Sequence, residues 1–164
     1  MKNFLFLVTA FASLNVFSSE IDCAKAGSKI SMNKKTVTIE VQKVAMNDDL
    51  IAMAEKMVGT TEGVSIGVQL SFPKKDLKCS RVEATAFNCV GGTKKASVTL
   101  SISQSSMMGS MNSQHIRKPV KIENIEISSA SLDQVLVKSS MFVKMNGDFQ
   151  LDLAQSFDSA VDCK

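Results

Sequence analysis

The chain has 164 residues, 45% of them hydrophobic, and it carries 19 Lys or Arg against 16 Asp or Glu. A chain of this length suits one domain with a sizeable core and leaves no obvious room for two. It has no Trp and no Tyr, so two of the side chains on which bases and sugars stack are missing, and we expect no nucleic-acid partner.

The N-terminal residues predict a cleavable export signal. Lys2 supplies a positive start, and an apolar run occupies most of 4–12. This run is shorter than the roughly 20 apolar residues that span a membrane, so we expect cleavage rather than anchoring. Cutting after Ser18 gives a signal peptide, 1–18, and a single exported β-rich domain, 19–164. No second stretch of spanning length follows, so we expect no transmembrane segment in the mature chain.

The chain has four cysteines, all in the predicted mature part. An even number in an exported chain indicates two disulfides, for which three pairings exist. We favour Cys79 with Cys89, a local loop, and Cys23 with Cys163, which joins the two ends of the mature chain. Because no CxxC pair is present, zinc binding and redox catalysis fit poorly, and we predict no cofactor. The short signal and the absence of an Asn-x-Ser/Thr site favour a periplasmic or secreted location, in a bacterial envelope.

The first clear strand and the predicted helix come next. Residues 37–42 alternate apolar and polar side chains, which is typical of a half-buried strand. A helix is predicted over 48–58, with Asn47 as its N-cap, acidic residues at the positive end of its dipole and Gly59 just past its end. Its buried stripe is expected to be Leu50, Met53, Ala54 and Met57.

A second strand begins with a motif that matches a catalytic sequence by letter. Residues 64–72 alternate strictly, which predicts a half-buried strand. At its start, 63–67 spell G-x-S-x-G, the nucleophile elbow of α/β hydrolases, where serine occupies a turn between a strand and a helix. Ser65 instead begins a continuous strand pattern, and a triad would need Asp76 and His115. A small serine hydrolase using Ser65 is therefore the minority alternative.

A third clear strand precedes the most unusual segment of the chain. Residues 96–103 alternate cleanly, whereas 104–118 is serine-rich and is expected to be a loop. Thioether sulfur and imidazole are ligands that Cu(I) prefers, and a helical turn would place Met107, Met111 and His115 on one side. A periplasmic soft-metal (copper) site is thus a second alternative, weighed against the use of methionine as adaptable filler in a chain that has 10 of them.

Two further features lie towards the C-terminus. Residues 120–127 form a predicted strand whose apolar parity changes near Glu123 and Asn124, which predicts a β-bulge. Residues 141–145 and 149–153 flank Asn-Gly-Asp, which predicts a hairpin. We favour the register that puts every apolar side chain on one face. It pairs Met145 with Phe149, Val143 with Leu151 and Met141 with Leu153.

These elements predict a mainly β fold. Strands at this spacing, with serine-rich outer faces and one short α-helix at about 47–58, are typical of an antiparallel β-sandwich or a partly closed barrel, here stapled by two disulfides. The helix is expected to cover an open end or edge of the sheet.

Charge supplies the remaining functional signal. Without Lys2 the chain has 18 basic and 16 acidic side chains, or +2, but the segment between residues 74 and 121 has nine basic residues against Asp76 and Glu83. The basic residues are Lys74, Lys75, Lys78, Arg81, Lys94, Lys95, Arg117, Lys118 and Lys121. Such a cluster can bind an anionic lipid, an anionic polymer or an acidic protein, although charge runs also scatter over solvated surfaces.

The leading hypothesis is accordingly an exported, non-enzymatic β domain with a binding or structural role in the periplasm or cell envelope. The basic central segment is its expected contact surface. Binding through such a surface should be sensitive to salt, because surface charges attract through a screened Coulomb interaction.

Overall fold

The computed structural model describes residues 20–82, 86–105, 111–131, 134–144 and 148–164. The predicted signal peptide lies outside these ranges. Within them, the strands are β1 (Ile21–Lys25), β2 (Ser28–Met32), β3 (Thr36–Val41), β4 (Val64–Pro73), β5 (Leu77–Arg81), β6 (Phe87–Ser105), β7 (Met111–Ser131), β8 (Gln134–Lys144) and β9 (Asp148–Asp158). One helix, α1 (Asp48–Val58), joins β3 to β4, and a 3-10 turn (Lys74–Asp76) joins β4 to β5.

All nine described strands form one antiparallel sheet. Its order is β1-β2-β3-β4-β6-β7-β8-β9, and β5 pairs with the N-terminal part of β6, beyond the end of β4. The sheet is curled into a half-barrel. The mainly β prediction is confirmed in its partly closed form, with one curled sheet in place of the two stacked sheets of a sandwich.

The curled sheet brings β1 next to the C-terminal tail. The disulfide Cys23–Cys163 joins them, and its partner bridge Cys79–Cys89 links β5 to β6, so both favoured pairings are confirmed. Two backbone hydrogen bonds accompany the first bridge, from Ala24 N–H to the Asp162 carbonyl and from Lys164 N–H to the Asp22 carbonyl, each 2.8 Å long. We call this contact between β1 and residues 162–164 the closed border.

The inner face of the sheet encloses the hydrophobic core. Alternate residues of β4 and β6, such as Leu70 and Leu100, are fully buried, whereas the serines and threonines between them lie on the outer face. This is the period of two that a strand with one buried face requires. The predicted strands 37–42, 64–72 and 96–103 all form. The bounds of the first two agree with β3 and β4 to within a residue, and the third is part of the longer strand β6.

Helix α1 matches its prediction at both ends. The Asn47 side chain accepts a hydrogen bond of 2.9 Å from Leu50 N–H, which satisfies a donor that the first turn leaves open. Gly59 ends the helix with a φ of 78°, a left-handed conformation that glycine adopts without steric cost. Leu50, Met53 and Ala54 are buried in the core and Met57 is partly buried, so the predicted stripe is confirmed.

The parity change in β7 is a β-bulge, as predicted. The pairing with β8 passes from Ile122 to Asn124 and leaves Glu123 as the extra residue. On the other side of the bulge, the backbone of β6 comes close: a Cβ added at Gly92 would lie 2.8 Å from the Glu123 carbonyl oxygen. The glycine therefore permits the two strands to stay paired across the bulge.

Strand β7 extends beyond its neighbour β8. Strand β6 accompanies β7 over nearly its whole length, whereas the pairing with β8 begins at Val120. Residues 113–119 consequently have β6 on one side and no strand on the other in the described part of the chain. We call residues 113–119 the open border.

The prediction of a loop at 104–118 is wrong over most of that segment. Residues 104–105 end β6 and 111–118 begin β7, while 106–110 lie outside the described residues. The prediction failed because Gln114 and Lys118, which are polar, occupy the positions where a buried strand would be apolar. Both side chains are exposed at the open border, so an apolar residue is not needed there.

The C-terminal hairpin forms, but its register differs from the prediction by two residues. Val143 pairs with Phe149 and Met141 with Leu151, whereas Met145, which was predicted to pair with Phe149, lies outside the described residues. A shift of two residues leaves every side chain on the same face of the sheet. The burial criterion therefore chose the correct face and was unable to choose between the two registers.

Candidate anion-binding surface

Five of the nine basic residues lie side by side on three neighbouring backbone segments. Lys74 and Lys75 are in the 3-10 turn, Lys94 and Lys95 are in β6, and Lys121 is in β7. We call these five residues the lysine row. All but Lys74, which is half-buried, are exposed.

The 3-10 turn is fixed against β6 next to the row. The Thr93 hydroxyl donates a hydrogen bond to the Asp76 carboxylate and accepts one of 2.9 Å from Lys95 N–H. Gly91 lies directly against the turn, so closely that a Cβ at this position would collide with the Asp76 carbonyl oxygen. These contacts order the segments that carry Lys74, Lys75, Lys94 and Lys95.

An irregularity in β6 aligns its two lysines with β7. Thr93 pairs with Ile122 and the next pair is Ala96 with Val120, so Lys94 and Lys95 together lie opposite Lys121. Neighbouring strands are about 4.8 Å apart, so the three segments of the row lie within about 10 Å of one another. Lysine side chains of that reach place their charges on a common surface.

In the described part of the chain, few carboxylates neutralise Lys75, Lys94, Lys95 and Lys121. Lys121 forms an ion pair of 3.0 Å with Glu123, and the Asp76 carboxylate is bound by Thr93. Within the described residues, no ion pair connects Lys75, Lys94 or Lys95 to an acidic side chain. The row is therefore a surface of net positive charge, and its like charges repel until an anion approaches.

The structure adds two lysines that the sequence window from 74 to 121 leaves out. Lys34 and Lys35 form the exposed turn between β2 and β3. Lys74 N–H donates a hydrogen bond of 2.9 Å to the Lys35 carbonyl, so this turn lies beside the start of the row. Two adjacent lysines are visible in the sequence, but only the pairing of β3 with β4 brings them to this surface.

The other four basic residues of the predicted set are spread more widely. Lys78 is exposed on β5, three residues beyond Lys75, and Arg81 ends that strand. Arg117 lies on the outer face above the row, where its guanidinium donates to the Ser97 hydroxyl at 3.4 Å. Lys118 pairs with the buried Val98, so strand alternation places it on the inner face. The predicted set thus converges in part.

The residues of the predicted copper site do not form a helical turn. Met111 and His115 belong to β7, where a rise of about 3.3 Å per residue places their Cα atoms about 13 Å apart. His115 is exposed and its Nδ1 lies 2.9 Å from the Ser101 hydroxyl. Met107 lies outside the described residues, within which no three His, Cys, Asp or Glu side chains are grouped as metal ligands.

The residues of the hydrolase alternative lie apart. Ser65 is in the regular part of β4, opposite Ser103, with no strand-to-helix turn at that point. His115 is on β7, and Asp76 is at the lysine row, bound to Thr93. Eight residues of β6 separate Thr93 from the level of His115, on the order of 25 Å of strand. The triad considered from the sequence is not assembled.

The comparisons with known proteins identify no relative. No protein-family model matches the chain, and no curated protein or solved structure matches it significantly. In the described part of the chain, no helix is both long and apolar enough to cross a bilayer. The two disulfides indicate an oxidising environment, outside the cytosol.

Proposed function

We propose that this chain is an exported, non-enzymatic β domain of a periplasm or cell envelope that binds an anionic partner through the lysine row. The observation that carries the proposal is the convergence of Lys74, Lys75, Lys94, Lys95 and Lys121 on one surface, extended by the β2–β3 turn. The segments beneath are fixed by Asp76 and Thr93, so the charges are presented on ordered backbone.

The chemistry of the row suits charge recognition. Lysine ammonium groups are compact, well-hydrated charges that attract carboxylates, sulfates or phosphates without demanding one geometry. A surface of several lysines raises the local concentration of anions and accelerates association with a charged partner. The export location is supported by the two disulfides, since such bonds persist in oxidising compartments.

The test compares two double variants that remove the same charge from different places. Lys94→Gln with Lys95→Gln removes two charges from the row, and Lys43→Gln with Lys56→Gln removes two exposed charges elsewhere. Binding of the disulfide-bonded chain to poly-glutamate and to phosphatidylglycerol vesicles is measured at low and high salt. Each lysine near an anionic surface contributes about 1 kcal/mol, so we expect the row variant to bind about thirtyfold more weakly at low salt. The control variant, whose lysines lie elsewhere, should change binding less than twofold.

Two results would contradict the proposal. Binding that is the same at low and high salt would show that screened charges do not drive association. Equal losses in both double variants would show that net charge matters and the lysine row does not.

A further inference from the structure

Among the described residues, no second strand covers the open border, so this edge of the sheet is accessible to another strand. Residues 113–119 of β7 pair with β6 on one side, and β8 begins its pairing only at Val120. Most soluble proteins cover such an edge or keep it short, because its unpaired N–H and C=O groups are a template for another strand. Here the edge runs over seven residues at the end of a half-barrel.

The direction of the backbone groups follows from the strand register. The Ser105 N–H donates to the Gly63 carbonyl, so odd-numbered residues of this part of β6 face β4 and even-numbered ones face β7. Even-numbered residues of β7 accordingly bond to β6. In an antiparallel pair the N–H and C=O of one residue face the same side. The groups of Ser113, His115 and Arg117 therefore face away from the sheet.

The side chains along the border leave these groups accessible. His115 Nδ1 lies 2.9 Å from the Ser101 hydroxyl of β6, and Arg117 donates to the Ser97 hydroxyl of β6. Both side chains lean over β6, away from the edge. Pro119 is at the lower end of the border, and it has no N–H to offer. It limits the edge to the donors of residues 113, 115 and 117.

The charge of the border selects the chemistry of an added strand. Arg117 lies on the outer face and Lys118 on the inner face, and Lys121 of the lysine row follows on the same strand. Two copies of the border would bring these positive charges together, so like-charge repulsion disfavours a pair of identical edges. A strand that carries carboxylates would instead be attracted to Arg117 if they lie on its outer face and to Lys118 if they lie on its inner face.

We propose that the open border binds an extended acidic segment of a partner protein, which adds as a further strand beside residues 113–119 of β7. The inference rests on the proposed anionic partner and names its class. Backbone hydrogen bonds supply the affinity in such strand addition, and side chains supply the selection. The positive residues also disfavour basic strands and second copies of the same edge, which protects the edge from nonspecific pairing.

The test uses a capped nine-residue peptide that alternates Glu and Val, and a control peptide with Lys in place of Glu. His115→Pro removes one edge N–H, and His115→Ala is the matched control that keeps it. Affinity is measured by fluorescence anisotropy, and hydrogen exchange follows the N–H groups of Ser113, His115 and Arg117. We expect binding of the acidic peptide alone, slower exchange at these N–H groups, and about tenfold weaker binding in the proline variant than in the alanine variant.

The outcomes separate this inference from the proposed function. Peptide binding that is lost in Lys94→Gln with Lys95→Gln but is equal in the two His115 variants overturns strand addition and leaves the proposed function standing. No binding of the acidic peptide, with poly-glutamate still bound, has the same meaning. A chain that dimerises through the border, and becomes monomeric with His115→Pro, would show that a second copy occupies the edge and would also overturn the inference.

Discussion

Two borders of this sheet differ in how they are completed: the C-terminal tail covers the closed border, and no described strand covers the open border. At the closed border, a disulfide, two backbone hydrogen bonds and an ion pair of 3.7 Å between Lys25 and Asp162 connect β1 to the tail. At the open border, residues 113–119 keep β6 as their one described neighbour and are mostly exposed. Both borders belong to one sheet with a single core, so the difference is local.

This difference separates stability from binding. At the closed border, backbone pairing satisfies N–H and C=O groups that would otherwise be unpaired, and the disulfide restricts the unfolded chain. Both effects stabilise the fold. Leaving an edge open contributes little stability and keeps its hydrogen-bonding groups available. The open border is also the polar and basic one, which is the composition expected where a charged partner binds rather than where a core is sealed.

Removing the Cys23–Cys163 bridge, which fastens the closed border, is the change with the largest predicted effect on stability. Cys23→Ala with Cys163→Ala frees a loop with a sequence separation of 140, and we expect the free energy of unfolding to fall by roughly 5 kcal/mol according to the chain-entropy model. Urea unfolding followed by circular dichroism measures the change.

The matched control for that prediction is the second bridge. Cys79→Ala with Cys89→Ala frees a loop with a separation of 10, for which the same model gives roughly 2.5 to 3 kcal/mol. If the short bridge proved the more stabilising, the closed border would not be the main clamp of the fold.

Proline substitution at adjacent positions of β7 is the next largest effect, and it tests the open border directly. The Ile116 N–H bonds to β6 and the His115 N–H faces the edge. Ile116→Pro should therefore lower the free energy of unfolding by about 3 kcal/mol, and His115→Pro by less than about 1 kcal/mol. Thermal unfolding of both variants, with Ile116→Ala and His115→Ala as references, measures the difference that belongs to proline alone. Equal losses would mean that the edge is paired after all.

Much of the fold was predictable because its signals are local. Strict alternation identified β4, and a cap, an apolar stripe and a terminal glycine identified α1. Strand β8 was recognised only in its second half, because Ser139 occupies a buried position where an apolar residue would have continued the pattern. The start of β7 was missed for the opposite reason, since Lys118 lies on the inner face but is exposed.

The candidate site was predictable in composition and not in shape. The basic residues are visible in the sequence, but their arrangement depends on the irregular pairing between Thr93 and Ala96 and on the order of the strands. Lys35 illustrates the limit: it is 39 positions from Lys74 in the sequence, yet the two residues share a backbone hydrogen bond. The open border was not predictable, because an edge is defined by where a neighbouring strand ends.

The smallest predicted effect concerns the turn between β1 and β2, which follows the β1 strand of the closed border. Ala26 and Gly27 form a two-residue connection, and both have positive φ, 37° and 85°. Turns of this kind favour Asn-Gly, because alanine in a left-handed conformation carries a steric cost that asparagine tolerates better. Ala26→Asn should raise the free energy of unfolding by roughly 0.5 to 1 kcal/mol. Gly27→Ala, whose Cβ would lie 3.0 Å from the Gln42 side chain, should lower it in the same urea titration, and a stabilising Gly27→Ala would refute this account of the turn.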